Sequence, residues 1–94
     1  MVRYQRQGIE FEWDAIKAQI NLDKHGVSFE EASEVFFDPF YQSGNASVDG
    51  EQRNFILGYS LSQRILLVVY VERDSRTRII SARPATRSEK KLYE

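Results

Sequence analysis

A chain of 94 residues, 41% hydrophobic and 13% aromatic, can bury one core but not two, so it reads as one domain over residues 1–94 and not as a disordered tail. The absence of cysteine excludes disulfides and thiolate chemistry. The longest apolar run, Ile65 to Val71, is too short to cross a bilayer, and the opening MVRYQRQGIEFEW lacks an apolar leader segment, so a cytoplasmic protein without a membrane role is expected. The net charge of −1 divides unevenly: residues 1–50 carry four cations against nine carboxylates (net −5), and residues 51–94 carry seven Arg and two Lys against five carboxylates (net +4). An Arg-rich half suits a polyanion, because guanidinium forks onto two phosphate oxygens at once. A solvated sheet face with scattered ion pairs accounts for the same charges.

In chain order, Ile9–Trp13 alternates apolar and acidic residues and predicts a short half-buried strand, with Ile9, Phe11 and Trp13 on the inner face. Asp14 offers an N-cap to a helix reaching about Lys24, with Ile16 and Ile20 four residues apart, and Gly26 ends it in a left-handed cap. Ser28 and Glu31 have the spacing of a capping box, and Val27 is placed to staple onto Ala32. Phe29, Ala32, Val35 and Phe36 form the apolar stripe of a second helix, which Asp38-Pro39 closes. Phe40 to Gln42 has the pattern of a weak strand, and the Gly-, Asn-, Ser- and Asp-rich stretch from Ser43 to Gly50 is a loop. Three strands follow, Arg53–Tyr59, Arg64–Glu72 and Thr77–Arg83, with linkers short enough for hairpins. Ile65–Val71 is apolar at both parities, as in a central strand covered on both faces. Thr86 and Glu89 repeat the capping-box spacing ahead of a short basic helix to Tyr93. The expected class is α+β: β-α-α, then an antiparallel meander of three or four strands, then a short C-terminal helix.

The run F11-E-W-D with Lys17 and Asn21, the block K24-H-G-V-S-F-E-E-A32, V35-F-F-D38, E51-x-R53, Gly58, Glu72-Arg73 and R78-I-I-S-A-R83 resembles the BrnT family of toxins from end to end. Thr86, Arg87, Glu89 and Tyr93 extend the likeness, which leaves residues 1–8 as an N-terminal extension. The resemblance implies a RelE-like fold and a toxin of a type II toxin–antitoxin pair. It further implies metal-independent endonucleolytic cleavage of RNA, and so inhibition of translation. The implied partner is a BrnA-like antitoxin with a ribbon-helix-helix DNA-binding segment. With it the toxin forms a 2:2 heterotetramer that binds its own promoter DNA. Fold likeness alone does not establish activity.

Cleaving RNA without a metal requires a group that takes the 2′-OH proton, cations that hold the phosphorane charge, and an acid for the leaving 5′-oxygen. Arg53, Arg73 and Arg83 are the candidate phosphate-binding guanidiniums. Arg53 opens one strand and Arg73 closes the next, so a hairpin brings them to one sheet edge; Arg83 lies at the far end of the following strand from Arg76 and Arg78, and sheet order and register decide which Arg residues converge. Each has an alternative as a surface ion-pair partner, for example Arg53 with Glu51 or Arg73 with Asp74. His25, the only imidazole, suits a general acid or a phosphate clamp; the alternative, which weighs more for a lone His, is a cap packed beneath the Gly26 turn. Glu72 and Tyr93 are candidate proton acceptors; the alternatives are a strand-end carboxylate facing water and a tie between the last helix and the sheet. Lys24, Arg78, Arg87, Lys90 and Lys91 are candidate RNA-backbone contacts or solvated surface. Trp13 reads as core and Asp14 as a cap. With one His and no carboxylate pair at ligand spacing, no metal or cofactor is expected. Two other readings compete with the ribonuclease: a non-catalytic nucleic-acid-binding or co-repressor module, and an adaptor whose sheet edge pairs with a partner.

Overall fold

A computed structural model describes all 94 residues as a mixed α+β fold. Its strands are β1 (Val2–Arg6), β2 (Ile9–Trp13), β3 (Gln42–Asn45), β4 (Asn54–Tyr59), β5 (Ile65–Arg73) and β6 (Arg76–Pro84). Its helices are α1 (Ala15–His25), α2 (Phe29–Glu34) and α3 (Arg87–Tyr93), and a 3-10 turn, Val35–Phe37, extends α2. One six-stranded sheet has the order β1-β2-β6-β5-β4-β3. No helix is long and apolar enough to cross a membrane.

The expected β-α-α opening needs correction, because two strands precede the helices. Residues 1–8, expected as an extension, carry β1, which pairs antiparallel with β2 across the Gln7-Gly8 turn. Both turn residues have positive φ, 45° and 85°, and Gly8 takes the larger angle without a Cβ clash. β3 to β6 form a four-stranded antiparallel meander. The β3 segment lies at Gln42–Asn45, slightly beyond the expected Phe40 to Gln42. β2 then joins β6 in parallel, with Phe11 opposite Thr77 and Glu12 opposite Arg78, so the sheet is mixed.

α1 and α2 gather on one face, and α3 lies on the other, beside Leu57, Leu67 and Val69. Phe11, Trp13, Val27, Phe29, Ala32 and Val35 close over Ile56, Leu66, Val68, Ile79 and Ala82. Trp13 packs on Tyr4 and edge-on to Phe29, as its place on an apolar strand face requires. Asn21 pins α1 to β6: its amide donates to Val27 O at 3.0 Å and Ala82 O at 2.8 Å, and its Oδ1 accepts from Ala82 N at 3.1 Å. Ile16 and Ile20 are not part of this contact; they are 72% and 58% exposed, and α1 meets the core through Ala18 and Asn21.

The predicted caps form with one difference. Ser28 accepts from Glu31 N at 3.0 Å, but the Glu31 side chain turns to Arg64, Ser60 and Ser62 and makes no reciprocal bond. Thr86 and Glu89 complete a full capping box on α3.

Candidate active site

The two central hairpins gather cations at one end of the sheet. Asn54 lies opposite Tyr70, so Arg53, just ahead of β4, comes level with the Val71–Arg73 end of β5. β5 and β6 turn through Asp74-Ser75, both at positive φ (51° and 64°), which sets Arg73 opposite Arg76 and Val71 opposite Arg78. Strand alternation turns Leu66, Val68 and Tyr70 toward α1 and α2, and Val71 and Arg73 to the other face. Ile80 is an extra residue in β6, a bulge between the Val69–Ser81 and Tyr70–Ile79 pairs. The result is a cleft of about 420 Å³ that Arg53, Arg73 and Arg78 line together with Lys17 from the first turn of α1.

The cleft also contains carboxylates, and their engagement differs. Glu51 pairs with Arg53 at 2.9 Å, the ion pair that competes with phosphate binding at that residue. Glu12, outside the lining and only 8% exposed in its side chain, lies 3.7 Å from Arg78 Nε and offsets part of its charge. Asp14 caps α1, accepting from Ile16 N at 2.9 Å and Lys17 N at 3.0 Å, and the bond from the Lys17 amide lowers its pKa. Arg73 and Lys17 have no carboxylate within 4.0 Å, so these two cations can meet an anion without breaking an existing pair. Glu72 borders the cleft, but its carboxylate meets the Thr77 hydroxyl at 3.3 Å on the helix-covered face, away from the guanidiniums.

The other expected site residues lie elsewhere. Arg83 is opposite Leu67, six residues along β5 from Arg73, or about 20 Å in an extended strand. Both of its terminal nitrogens donate to the Glu89 carboxylate at 2.8 Å, so it anchors α3 to the sheet. Tyr93 donates to Asp38 Oδ2 at 2.6 Å and stands edge-on to Tyr59. Burial, followed by this bond to a carboxylate, pushes its phenol up to about 12, so it keeps its proton at neutral pH and ties α3 down instead of accepting a proton. Lys24 and half-buried His25 occupy the last turn of α1, at the opposite helix end from Asp14 and Lys17. Arg87, Lys90 and Lys91 are exposed on α3, outside the cleft.

Lys17 is the cleft residue that reading by charge missed. Its signal was positional: three residues past the Asp14 cap, a side chain projects from the start of α1 beside the strand that precedes it. The Glu31–Arg64 pair was also missed. Arg64 Nε donates to Glu31 Oε2 at 3.0 Å and Nη2 donates to Gly26 O at 2.9 Å, joining α2 and the α1–α2 turn to the head of β5. No group of three or more His, Cys, Asp or Glu side chains is arranged to hold a metal ion.

Comparison with curated protein sequences returns no match. Among solved structures, the fold is similar to the 1.1 Å crystal structure of the Brucella abortus ribonuclease toxin BrnT, with a TM-score of 0.61 and 22% identity over 82% of this chain and 96% of that one. The family model described as the ribonuclease toxin BrnT of type II toxin–antitoxin systems matches residues 13–89, which take in Lys17, Arg53, Arg73 and Arg78. On that match over most of its length, the chain belongs to the BrnT family of ribonuclease toxins.

Proposed function

We propose that this protein cleaves RNA in the Arg53–Arg73–Arg78 cleft without a metal ion, inhibiting translation as the toxin of its pair. The observation that carries the reading is the meeting of three guanidiniums and one ammonium, from three strand ends and a helix start, in one concavity. Such preorganised cations stabilise charge that develops on a phosphorane more than they stabilise the ground state.

The 2′-oxygen attacks the adjacent phosphorus, forming the O2′–P bond while the P–O5′ bond breaks. Glu51, the lining carboxylate that is neither a helix cap nor turned to the other face, takes the 2′-OH proton. Arg73 and Arg78 hold the non-bridging oxygens, and Arg53 both positions Glu51 and approaches phosphate. Lys17, the cleft's ammonium, donates to the departing O5′. The products are a 2′,3′-cyclic phosphate and a 5′-hydroxyl.

Family membership brings an antitoxin partner with it. We assign that partner to the ribbon-helix-helix class, in a 2:2 complex acting in the cytoplasm on its own promoter, and we read the helix-covered antiparallel meander as RelE-like. The test is incubation of purified protein with a defined RNA in EDTA. Cleavage leaving cyclic phosphate ends, and lost on Arg73→Ala, is expected. RNA binding without cleavage in the wild type selects the non-catalytic reading.

A further inference from the structure

The hairpin end that carries the cleft has a second hollow on the opposite, helix-covered face of the sheet. It measures about 390 Å³, and Glu10, Phe36, Tyr41, Tyr70, Glu72 and Ser75 are among the residues that line it; Glu10 is paired with Arg76 at 3.5 Å, which leaves Glu72 as the carboxylate without a cation. Phe36 and Tyr70 are fixed edge-to-face, with centroids 5.0 Å apart and planes at 73°. Tyr41 is 47% exposed. Glu72 accepts only long bonds from the Thr77 hydroxyl, 3.3 and 3.4 Å, which leaves most of its acceptor capacity open. Burial and the neighbouring Glu72 raise the Tyr70 pKa, so its hydroxyl is a donor at neutral pH. Glu72 borders both this hollow and the cationic cleft, so the two sites meet over the Asp74-Ser75 turn.

We propose that this hollow is a nucleobase subsite that takes an unpaired guanine one or two nucleotides from the phosphate held by Arg53, Arg73 and Arg78. The inference rests on the RNA-binding reading of the cleft. An exposed tyrosine offers a π-face for stacking, which any base accepts. The polar component selects among bases. Guanine carries N1–H and N2–H side by side and donates both to one carboxylate, whereas uracil has one N–H between two carbonyl oxygens that a carboxylate repels. The Tyr70 and Ser75 hydroxyls can donate to guanine O6. A base in a duplex would have to unpair and unstack to cross the hairpin edge, so a single-stranded substrate is favoured there.

The test is fluorescence anisotropy in EDTA with short 2′-O-methyl RNAs, which cannot be cleaved. One is all uracil, and the others carry a single internal guanine, inosine or adenine. The wild type should bind the guanine oligomer about tenfold more tightly than the all-uracil one, consistent with the discrimination a bidentate base contact provides. Inosine, without the N2 amine, should fall between them. Tyr41→Ala and Glu72→Gln, at exposed positions that leave the melting temperature unchanged, should erase the preference, while Arg73→Ala weakens all oligomers alike. Equal affinity for guanine and uracil, a preference for adenine, or a guanine preference that survives both substitutions overturns the subsite. Cleavage of unmodified RNA is read separately. Guanine-selective binding with no cleavage retires the nuclease and leaves the subsite standing, and no binding to any RNA overturns both.

Discussion

Asp38 Oδ2 accepts from the Tyr93 hydroxyl at 2.6 Å and from the Tyr59 amide at 2.8 Å, so one carboxylate oxygen joins the segment after α2, the end of β4 and the last turn of α3. α3 buries no residue of its own, and it is held by this bond, the edge-on Tyr59–Tyr93 contact and the Arg83–Glu89 pair. Tyr93→Phe should therefore lower stability by about 1 kcal/mol, as for loss of one partly exposed bond to a charged group. Hydrogen exchange should speed up across Arg87–Tyr93 while RNA cleavage stays near the wild-type rate.

Arg73 and Arg83 should fail in opposite ways. Arg73 has no ion pair and lines the cleft, so Arg73→Ala should reduce the cleavage rate about 100-fold with an unchanged melting temperature. Arg83 is committed to Glu89, so Arg83→Ala should lower the melting temperature and leave cleavage within a few-fold. Single-turnover kinetics and thermal melts on the two proteins separate these outcomes, and the reverse pattern would move the phosphate site to α3.

Acid should loosen the fold in a defined window. Hydrogen bonds from Arg64 hold Glu31 at about 2, and those from Arg83 hold Glu89 at about 2, both well below their ordinary 4.5. A carboxyl depressed by folding stabilises the native state fully above its unfolded pKa, and that contribution is lost as pH falls through the folded value. Denaturant midpoints should therefore be flat above about pH 5 and fall between about pH 4.5 and pH 2. Glu31→Gln should flatten part of that slope while lowering stability at neutral pH.

Asn21→Ala should be among the costliest single changes. The substitution leaves the buried Ala82 amide without its side-chain acceptor and two carbonyls without their donor, a loss of about 3 kcal/mol. The expected signature is a lower urea midpoint with an unchanged slope.

Local chemistry made much of the fold legible. The Asp14, Ser28 and Thr86 caps, the Gly26 stop and the three long strands depend on residues a few positions apart, and all occur. The Arg53–Arg73 juxtaposition followed from hairpin connection alone. What escaped depends on long-range pairing. β1 was missed because Val2, Tyr4 and Arg6 are a weak apolar row until β2 lies beside them, although the Gln7-Gly8 turn was there to be read. Ile16 and Ile20 have helical spacing but face solvent, because Asn21 and Ala18 decide which side of α1 meets β6. Arg83 was legible at the strand end opposite Arg76 and Arg78, and the short turn that pairs Arg73 with Arg76 keeps it there, away from the cleft. The helix-start position of Lys17 was there to be read, but that it meets Arg78 depends on the parallel β2–β6 contact.

That parallel contact also sets the order of assembly. Lys17 and Arg78 are 61 positions apart in the sequence, with Glu12 of β2 paired to Arg78 across the seam. A nascent chain still on the ribosome lacks the strand against which its first hairpin docks, because such distant pairing waits for both partners. Products that terminate before β6 are thus left with an open β2 edge and a cleft that lacks Arg78.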